Sequence, residues 1–305
     1  MMEGRVLRSL FRVFLATGLG AVVCLHAGAP PSVAQGDPAP FDRPTLAQAQ
    51  HLFYNARYDE AAALSLAWRS AEPENLAAYE IRTSALLFQL KRALDGHPDK
   101  ESTFKQCVTC PGLMTAFMSD TTQGQALARA RVRQNAADDE ALFFLGKLDL
   151  NYVWLQLGTL GRKTGWDQYW EARKSLDAAL KRNPRHVRAR VARAWIDYIV
   201  DTKLPRGTRW LLGGGSRKRA LAAVREAADA EADFFSHAEA EFALWDLLVR
   251  ERNLAEAATV AQELACDFPE NRELAHFLQA NEPGLRPGLG AGDGSLCYGV
   301  RVTQR

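Results

Sequence analysis

An alanine recurs at a fixed distance ahead of a proline, and this spacing constrains the fold more than any other feature of the sequence. Three pairs are separated by twelve residues: Ala61 and Pro73, Ala172 and Pro184, and Ala257 and Pro269. A small side chain lets one helix approach another closely, and a proline prevents the helix from continuing. The spacing therefore predicts pairs of helices, each followed by a turn from which the next pair begins.

Two further segments follow the same design without a proline. GQALARARVRQNAADDEALFFLG contains Ala126, with Asp138 in the place of the proline, and RKRALAAVREAADAEADFF contains Ala220, with Ala232 in that place. The five alanines are separated by 65, 46, 48 and 37 residues, so the pairs must be irregular. The expected insertions, rich in Gly, Pro or charge, are Asp95 to Gly112, Gly158 to Trp166, and Thr202 to Gly215.

These segments resemble tetratricopeptide repeats, a family in which helix-turn-helix units of about 34 residues carry small residues at defined places. The five alanines resemble the small residue of the second helix, and Leu145-Gly146 resembles the Leu-Gly step of the first helix. The resemblance covers residues 44 to 280 and implies an all-α, right-handed solenoid of about five irregular helical hairpins. Asn271 to Ala280 is expected as a short capping helix.

The two ends of the chain differ from the repeat region. Basic residues precede an apolar run from Val13 to Leu25, and Ser32-Val33-Ala34 follows, which is typical of a secretory signal peptide. We expect a signal peptide at 1–34, a linker at 35–44, a helical repeat domain at 45–280 and a flexible Gly/Pro-rich tail at 281–305. Export would place the protein in the periplasm or cell envelope. A retained anchor and lipidation at Cys24 are minor alternatives.

Four cysteines follow the expected signal peptide: Cys107, Cys110, Cys266 and Cys297. In CVTCP, Pro111 fits the first turn of a helix, so Cys110 would lie near a helix N-terminus, where the pKa of a thiol falls. A structural disulfide is the favoured interpretation, with redox and metal roles as alternatives. No strand precedes the pair, as a thioredoxin-like site would require. Cys266 and Cys297 are candidates for a second bridge.

A glycine-rich, basic segment lies at residues 204–221. Gly213, Gly214 and Gly215 precede an expected helix near Ser216. The basic residues around it are Arg206, Arg209, Arg217 and Lys218. Unpaired N–H groups at a helix N-terminus bind anions, so an anion site is one interpretation. The plainer one, a flexible insertion beside a solvated basic face, is favoured because the phosphate-binding pattern GxxxxGK[ST] is missing.

Composition and motifs argue against several classes of function. The net charge of +2 provides no global field for binding nucleic acid. We find no HExxH, no GxSxG and no carboxylate or histidine cluster at ligand spacing, so neither catalysis nor a metal or cofactor is expected. The apolar segment EALFFLGKLDLNYVWLQLG is interrupted by Lys147, Asp149 and Asn151, which favours a central helix of the array over a membrane span.

The resemblance implies a concave groove that binds a protein or an extended peptide. The groove positions that it implies on first helices are Glu140, Lys147, Asn151, Arg188, Trp195, Glu239, Asp246 and Arg250. Two alternatives stay open. One is a periplasmic, transporter-associated protein that encloses a small ligand, with Trp166 and Trp210 near the pocket wall. The other is a thiol-disulfide protein that uses Cys107 and Cys110.

Overall fold

The computed structural model describes residues 45–94, 97, 99–203 and 214–281, and the regular elements within these ranges are all helical. The helices are α1 (Leu46–Tyr54), α2 (Tyr58–Ala71), α3 (Leu76–Leu94), α4 (Lys100–Gln106), α5 (Cys110–Gln134), α6 (Asp139–Val153), α7 (Trp166–Arg182), α8 (Val187–Lys203), α9 (Arg217–Ala228), α10 (Phe234–Arg250), α11 (Leu254–Asp267) and α12 (Arg272–Asn281). A π-helical turn, Trp154–Thr159, continues α6. The expected signal peptide, linker and nearly all of the expected tail lie outside the described residues.

The helices pair into hairpins that pack against one another. The pairs are α1 with α2, α3 with α5, α6 with α7, α8 with α9, and α10 with α11, and α12 packs on α11. The first helices of successive hairpins also meet, because α3 contacts α6, α6 contacts α8, and α8 contacts α10. The predicted all-α fold is confirmed, and the described residues form five hairpins followed by α12. The right-handed sense of the array stays a prediction.

Side chains in the connecting turns start the next helix. The Asp138 carboxylate accepts a hydrogen bond from the backbone N–H of Ala141 at the start of α6. Asn271 does the same at the start of α12, where its Oδ1 accepts from Glu273 and Leu274. These caps bind N–H groups that have no partner within the helix. These capping residues therefore mark where one hairpin ends and the next helix begins.

Small residues lie between the two helices of a hairpin, as predicted. Ala61, Ala172 and Ala257 are fully buried, and Ala220 is nearly so. At Gly146 of α6, a Cβ atom would lie only 2.6 Å from Cγ of Leu176 in α7. The backbones of α6 and α7 therefore approach more closely than any larger residue at position 146 would allow.

The position assigned to Ala126 was wrong. Ala126 is exposed, whereas Gly124 is a buried small residue of α5, where a Cβ atom would lie 2.8 Å from Leu148. The spacing had been counted from Asp138, which caps α6 instead of ending α5. Counted from the end of α5 at Gln134, Gly124 has the same place that Ala61, Ala172 and Ala257 have in their helices.

The insertions and the central helix are also located. The first insertion contains the short helix α4, the second contains the end of the π-helical turn, and most of the third lies outside the described residues. Helix α6 is buried on most sides, as expected for a central helix. Among the described residues, no helix combines the length and apolar character needed to span a bilayer.

Candidate functional site

The first helices of the hairpins surround a central cavity of about 580 Å³. Side chains from α1, α3, α6, α8 and α10 line it, together with Asn271 and Glu273 at the α12 end of the array. Small-molecule sites in proteins span roughly 300–1,000 Å³. The cavity is therefore large enough for an organic ligand.

The two ends of the helical array meet beside this cavity. The Asn271 side-chain amide donates to the backbone carbonyl of Tyr54 across 2.7 Å. The backbone N–H of Glu270 donates to Oδ1 of Asn55 at 3.1 Å, and Arg92 pairs with Glu273 at 2.9 Å. The first hairpins therefore contact the last helix on one side of the cavity.

The inner helices run in the same direction, so their side chains form layers. Lys147 of α6 and Arg188 of α8 meet at one level, where both contact Glu239 of α10. Seven residues further along, Trp154 packs against Trp195, with ring centroids 5.3 Å apart. Seven residues make about two helical turns, or about 10 Å. The cavity wall thus changes from charged to aromatic over that distance.

The charge layer consists of Glu80, Lys147, Arg188 and Glu239, from α3, α6, α8 and α10. Arg188 reaches Glu80 at 2.9 Å and Glu239 at 2.5 Å, while Lys147 reaches Glu239 at 2.6 Å and Glu80 at 3.4 Å. The Glu80 side chain is only 3% exposed. Two carboxylates and two cations from four hairpins are therefore paired away from solvent.

Burial and pairing act in opposite directions on these groups. Burial alone would raise the pKa of Glu239, but the charges of Arg188 and Lys147 outweigh it and lower that pKa to about 2. The pKa of Lys147 is raised, because the attraction of Glu239 and Glu80 exceeds the effect of burial. Lys147, Arg188 and Glu239 are thus held in their charged forms. Burial, followed by the nearby carboxylate of Glu239, raises the pKa of the Tyr54 phenol well above its ordinary value.

The aromatic layer consists of Trp154 and Trp195, with Arg250 beside them. The Arg250 guanidinium lies 5.6 Å from each indole ring, and it donates to both oxygens of Asp246 at 2.9 and 3.1 Å. Cations stack favourably on indole faces, so Arg250 fixes both rings. The Trp154 ring also lies over Gly158 in the π-helical turn, where any Cβ atom would collide with it.

The remaining wall is rich in aromatic side chains. Phe53 and Phe88 meet edge to face at 5.3 Å, and the Tyr54 and Phe242 rings stack at 5.2 Å. Tyr58 and Trp245 also line the cavity. Between the charge layer and the carboxyl ends of the inner helices, the cavity therefore offers a largely aromatic surface.

Seven of the eight expected groove residues line this cavity: Lys147, Asn151, Arg188, Trp195, Glu239, Asp246 and Arg250. The charged side chains among them form ion pairs with one another or with Glu80. The Asn151 amide donates to Thr83 and Ser84 at 3.0 Å. Glu140 does not line the cavity and pairs with Arg131 at 2.6 Å. The part of these residues in binding a partner stays a prediction.

The tryptophans of the cavity differ from those expected near a pocket wall. Trp166 packs beside Tyr169 and is not among the lining residues, and Trp210 lies outside the described part of the chain. Trp154, Trp195 and Trp245 line the cavity instead. Sequence reasoning missed Glu80 altogether. Its signal is the one carboxylate in the mostly apolar stretch LAAYEIRTSALLF of α3.

A carboxylate of α8 contacts the basic segment at the start of α9. The backbone N–H of Arg217, at the start of α9, donates to Oδ2 of Asp201 at 2.9 Å, and the Arg217 guanidinium reaches the same oxygen at 3.2 Å. A carboxylate of the protein therefore lies at this helix N-terminus. Lys218 is exposed, and Arg206 and Arg209 lie outside the described residues.

The cysteine pair lies at the start of α5. Cys107 and Cys110 form a disulfide with a Cα–Cα distance of 5.4 Å, and Pro111 occupies the first turn of the helix. Cys110 is fully buried. Cys297 lies outside the described residues, so its pairing with Cys266 stays a prediction. Within the described ranges, no group of three His, Cys, Asp or Glu side chains is arranged to hold a metal ion.

A second buried polar cluster lies between α5, α6 and α7. Asp149 is fully buried and accepts a hydrogen bond from Gln125 at 2.6 Å. Burial, followed by the neighbouring Glu171 carboxylate, raises the pKa of Asp149 to about 9, although Arg129 opposes this. Arg129 itself pairs with Glu171 and lowers the pKa of that carboxyl. The surroundings of Asp149 therefore favour its protonated form.

Comparisons with known proteins point to a structural likeness. No family model matches the chain, and no curated protein is similar to it in sequence. Among solved structures, the chain is similar to the crystal structure of a thermophilic TPR protein from Thermus thermophilus, with 16% sequence identity and a TM-score of 0.45. That similarity covers 77% of this chain and 96% of the other.

Proposed function

We propose that this protein binds a small organic ligand in its central cavity. The observation that carries the proposal is the space of about 580 Å³ between the inner helices. Its aromatic wall supplies the large apolar contact that small-molecule sites use. The contacts of Asn271 with Tyr54 and of Glu273 with Arg92 close the array around it. Such a site suits a protein that carries or presents a solute.

An extended peptide fits the same surface less well. The charges that a polar peptide would contact in a groove are already paired with each other in the charge layer. Separating a buried ion pair leaves uncompensated charge and costs about 3–5 kcal/mol. A small apolar ligand can occupy the aromatic part of the cavity without breaking these pairs. The geometry therefore favours a small ligand.

A protein partner remains the second candidate. Trp170, on the second helix α7, is 43% exposed and does not line the cavity. Exposed aromatic side chains are enriched at protein interfaces. The resemblance to tetratricopeptide repeats also favours a protein partner. A contact of this kind would use the outer surface of α7 and leave the cavity free for a ligand.

The proposal includes the compartment that the first residues imply. The basic and apolar pattern within residues 1–34 supports export, which would place the cavity in the periplasm or cell envelope. A solute-binding protein in that location would act beside a transporter. Fractionation of the expressed full-length chain, followed by N-terminal sequencing of the mature protein, tests this part.

The cavity is tested with three probes that share a ten-carbon chain: decanoate, decanol and decylammonium. Ala243 lines the cavity and is nearly buried, so Ala243→Phe should fill part of it. Ala126→Phe adds the same ring on the exposed face of α5 and serves as the control. We expect Ala243→Phe to weaken binding of any probe that the wild type takes up by about tenfold, or about 1.4 kcal/mol.

Tryptophan fluorescence reports on binding because Trp154, Trp195 and Trp245 line the cavity. Circular dichroism and thermal unfolding establish that both variants are folded. A folded Ala243→Phe protein that binds the probes as tightly as the wild type would overturn the proposed function, and so would a wild-type protein that binds none of them.

A further inference from the structure

We infer that the ligand is an amphipathic anion, with an apolar body against the aromatic wall and a negative head group held by Lys91, Lys100 and Lys203. This inference rests on the proposed function and assigns the chemical class of the ligand. Its basis is the balance of charge around the cavity.

Every carboxylate that lines the cavity has a cationic partner within the protein. Glu80 and Glu239 pair with Lys147 and Arg188. Asp246 pairs with Arg250, and Glu273 pairs with Arg92. A cationic ligand would therefore have to compete with an existing partner for each of these carboxylates.

Three further cationic side chains line the cavity: Lys91, Lys100 and Lys203. Within the described ranges, none of the three forms an ion pair. Lys100 donates to the backbone carbonyl of Leu94 at 2.5 Å, and Nζ of Lys91 lies 5.2 Å from the centre of the Phe88 ring. The cavity thus has an excess of positive charge that a ligand anion can neutralise.

The lysines lie at the opposite end of the inner helices from the charge layer. Lys91 is in the last turn of α3, Lys203 is in the last turn of α8, and Lys100 contacts Leu94, the last residue of α3. Glu80 lies eleven residues before Lys91 in the same helix, which is about 16 Å along its axis. Aromatic and aliphatic side chains line most of the space between, together with Ser84, Asn151 and the ion pair of Asp246 and Arg250.

The positions of the charge layer and of the three lysines determine the orientation of a ligand in the cavity. The charge layer has no free charge to bind a polar end, while the side chains of the three lysines are exposed or half-exposed. An apolar chain would extend from the lysines into the aromatic region. A head group of either other type, neutral or positive, would leave the lysines without a counter-charge.

Isothermal titration of the full chain with decanoate, decanol and decylammonium tests the inference, since only the head group differs. The combined variant Lys91→Gln and Lys203→Gln removes two of the three charges at exposed positions. Lys181→Gln is the matched control, because Lys181 is a lysine in the last turn of α7, outside the cavity.

We expect the wild type to bind decanoate at least about fivefold more tightly than decanol, with decylammonium weakest. The double variant should lose about fivefold in affinity for decanoate, or about 1 kcal/mol, and leave the affinity for decanol unchanged. Lys181→Gln should leave both affinities unchanged.

Two outcomes would overturn the inference, and they have different consequences. Equal affinities for the three probes, with no effect of the double variant, would reject the anionic head group and leave the cavity as a binding site. Absence of binding for all three probes would reject the proposed function as well.

Discussion

Arg188 of α8 donates a hydrogen bond to Glu80 of α3 across 2.9 Å, although a complete hairpin, α6 with α7, lies between them in the chain. In an open helical array, each hairpin contacts only its neighbours. Here the charge layer joins four hairpins at one point, and the contacts of Asn271 and Glu273 join the ends. The array is therefore expected to unfold as one unit instead of fraying from its termini.

The charge layer should be sensitive to loss of one member. Glu239→Gln removes a carboxylate that neutralises both Lys147 and Arg188, so we expect the free energy of unfolding to fall by about 3 kcal/mol. Glu140→Gln removes an exposed carboxylate that pairs only with Arg131, and its effect should be about 1 kcal/mol or less. Urea unfolding at pH 7 compares them. Equal, small effects would show that the charge layer does not stabilise the fold.

Low pH should reduce the stability that the charge layer contributes. The pKa of Glu239 is lowered to about 2 in the folded protein from an ordinary value near 4.5, so the unfolded chain takes up this proton first. The stability from Glu239 is complete above about pH 4.5 and is lost as the pH falls toward 2. The unfolding free energy of the wild type should therefore decline more steeply over this range than that of Glu239→Gln. Parallel pH profiles would contradict this assignment.

Asp149 should give the opposite dependence on pH. Its folded pKa of about 9 exceeds the ordinary value of 3.8, so its stabilising proton is present at low pH and stability falls as the pH rises toward 9. Asn resembles the protonated acid, and we expect Asp149→Asn to be more stable than the wild type at pH 8, by at least about 1 kcal/mol.

Asp167 in the first turn of α7 supplies the control for that measurement. Asp167→Asn should follow the wild-type profile of unfolding free energy between pH 4 and 9, whereas Asp149→Asn should flatten it. A loss of stability in Asp149→Asn at pH 8 would mean that Asp149 is ionised in the folded protein.

Close packing at Gly146 can be tested with one methyl group. A Cβ atom there would lie 2.6 Å from Leu176, so Gly146→Ala should destabilise the protein by about 1–3 kcal/mol. Gly112 also lies in a helix but has open space around it, so Gly112→Ala should be neutral or stabilising. Thermal unfolding of both variants measures the difference. A stabilised Gly146→Ala protein would mean that α6 and α7 are farther apart than described.

Much of the fold could be predicted because its signals are local. A small residue, a helix end and a capping residue lie within one stretch of sequence, so the hairpins follow from residues such as Ala61 and Ala172. The wrong assignment of Ala126 also came from a local signal. Without a proline, the sequence did not reveal that Asp138 begins α6, and the count was displaced by two residues.

The site was less predictable because it depends on contacts between distant residues. The inner positions on α6, α8 and α10 followed from the resemblance, which explains why Lys147, Arg188 and Glu239 were identified. The closing contact joins Asn271 to Tyr54, which are 217 residues apart. No local pattern encodes it, so the contact between the two ends of the array was not predicted.

The central claim is that the inner helices enclose a ligand, and a crystal structure with a brominated ligand tests it most directly. Decanoate with bromine on its terminal carbon would be bound to the wild type, and anomalous scattering would locate the bromine. We predict a bromine peak inside the cavity between Trp154 and Trp245, with the carboxylate toward Lys91 and Lys203. A peak on the outer surface, for example beside Trp170, with the cavity empty, would contradict the account.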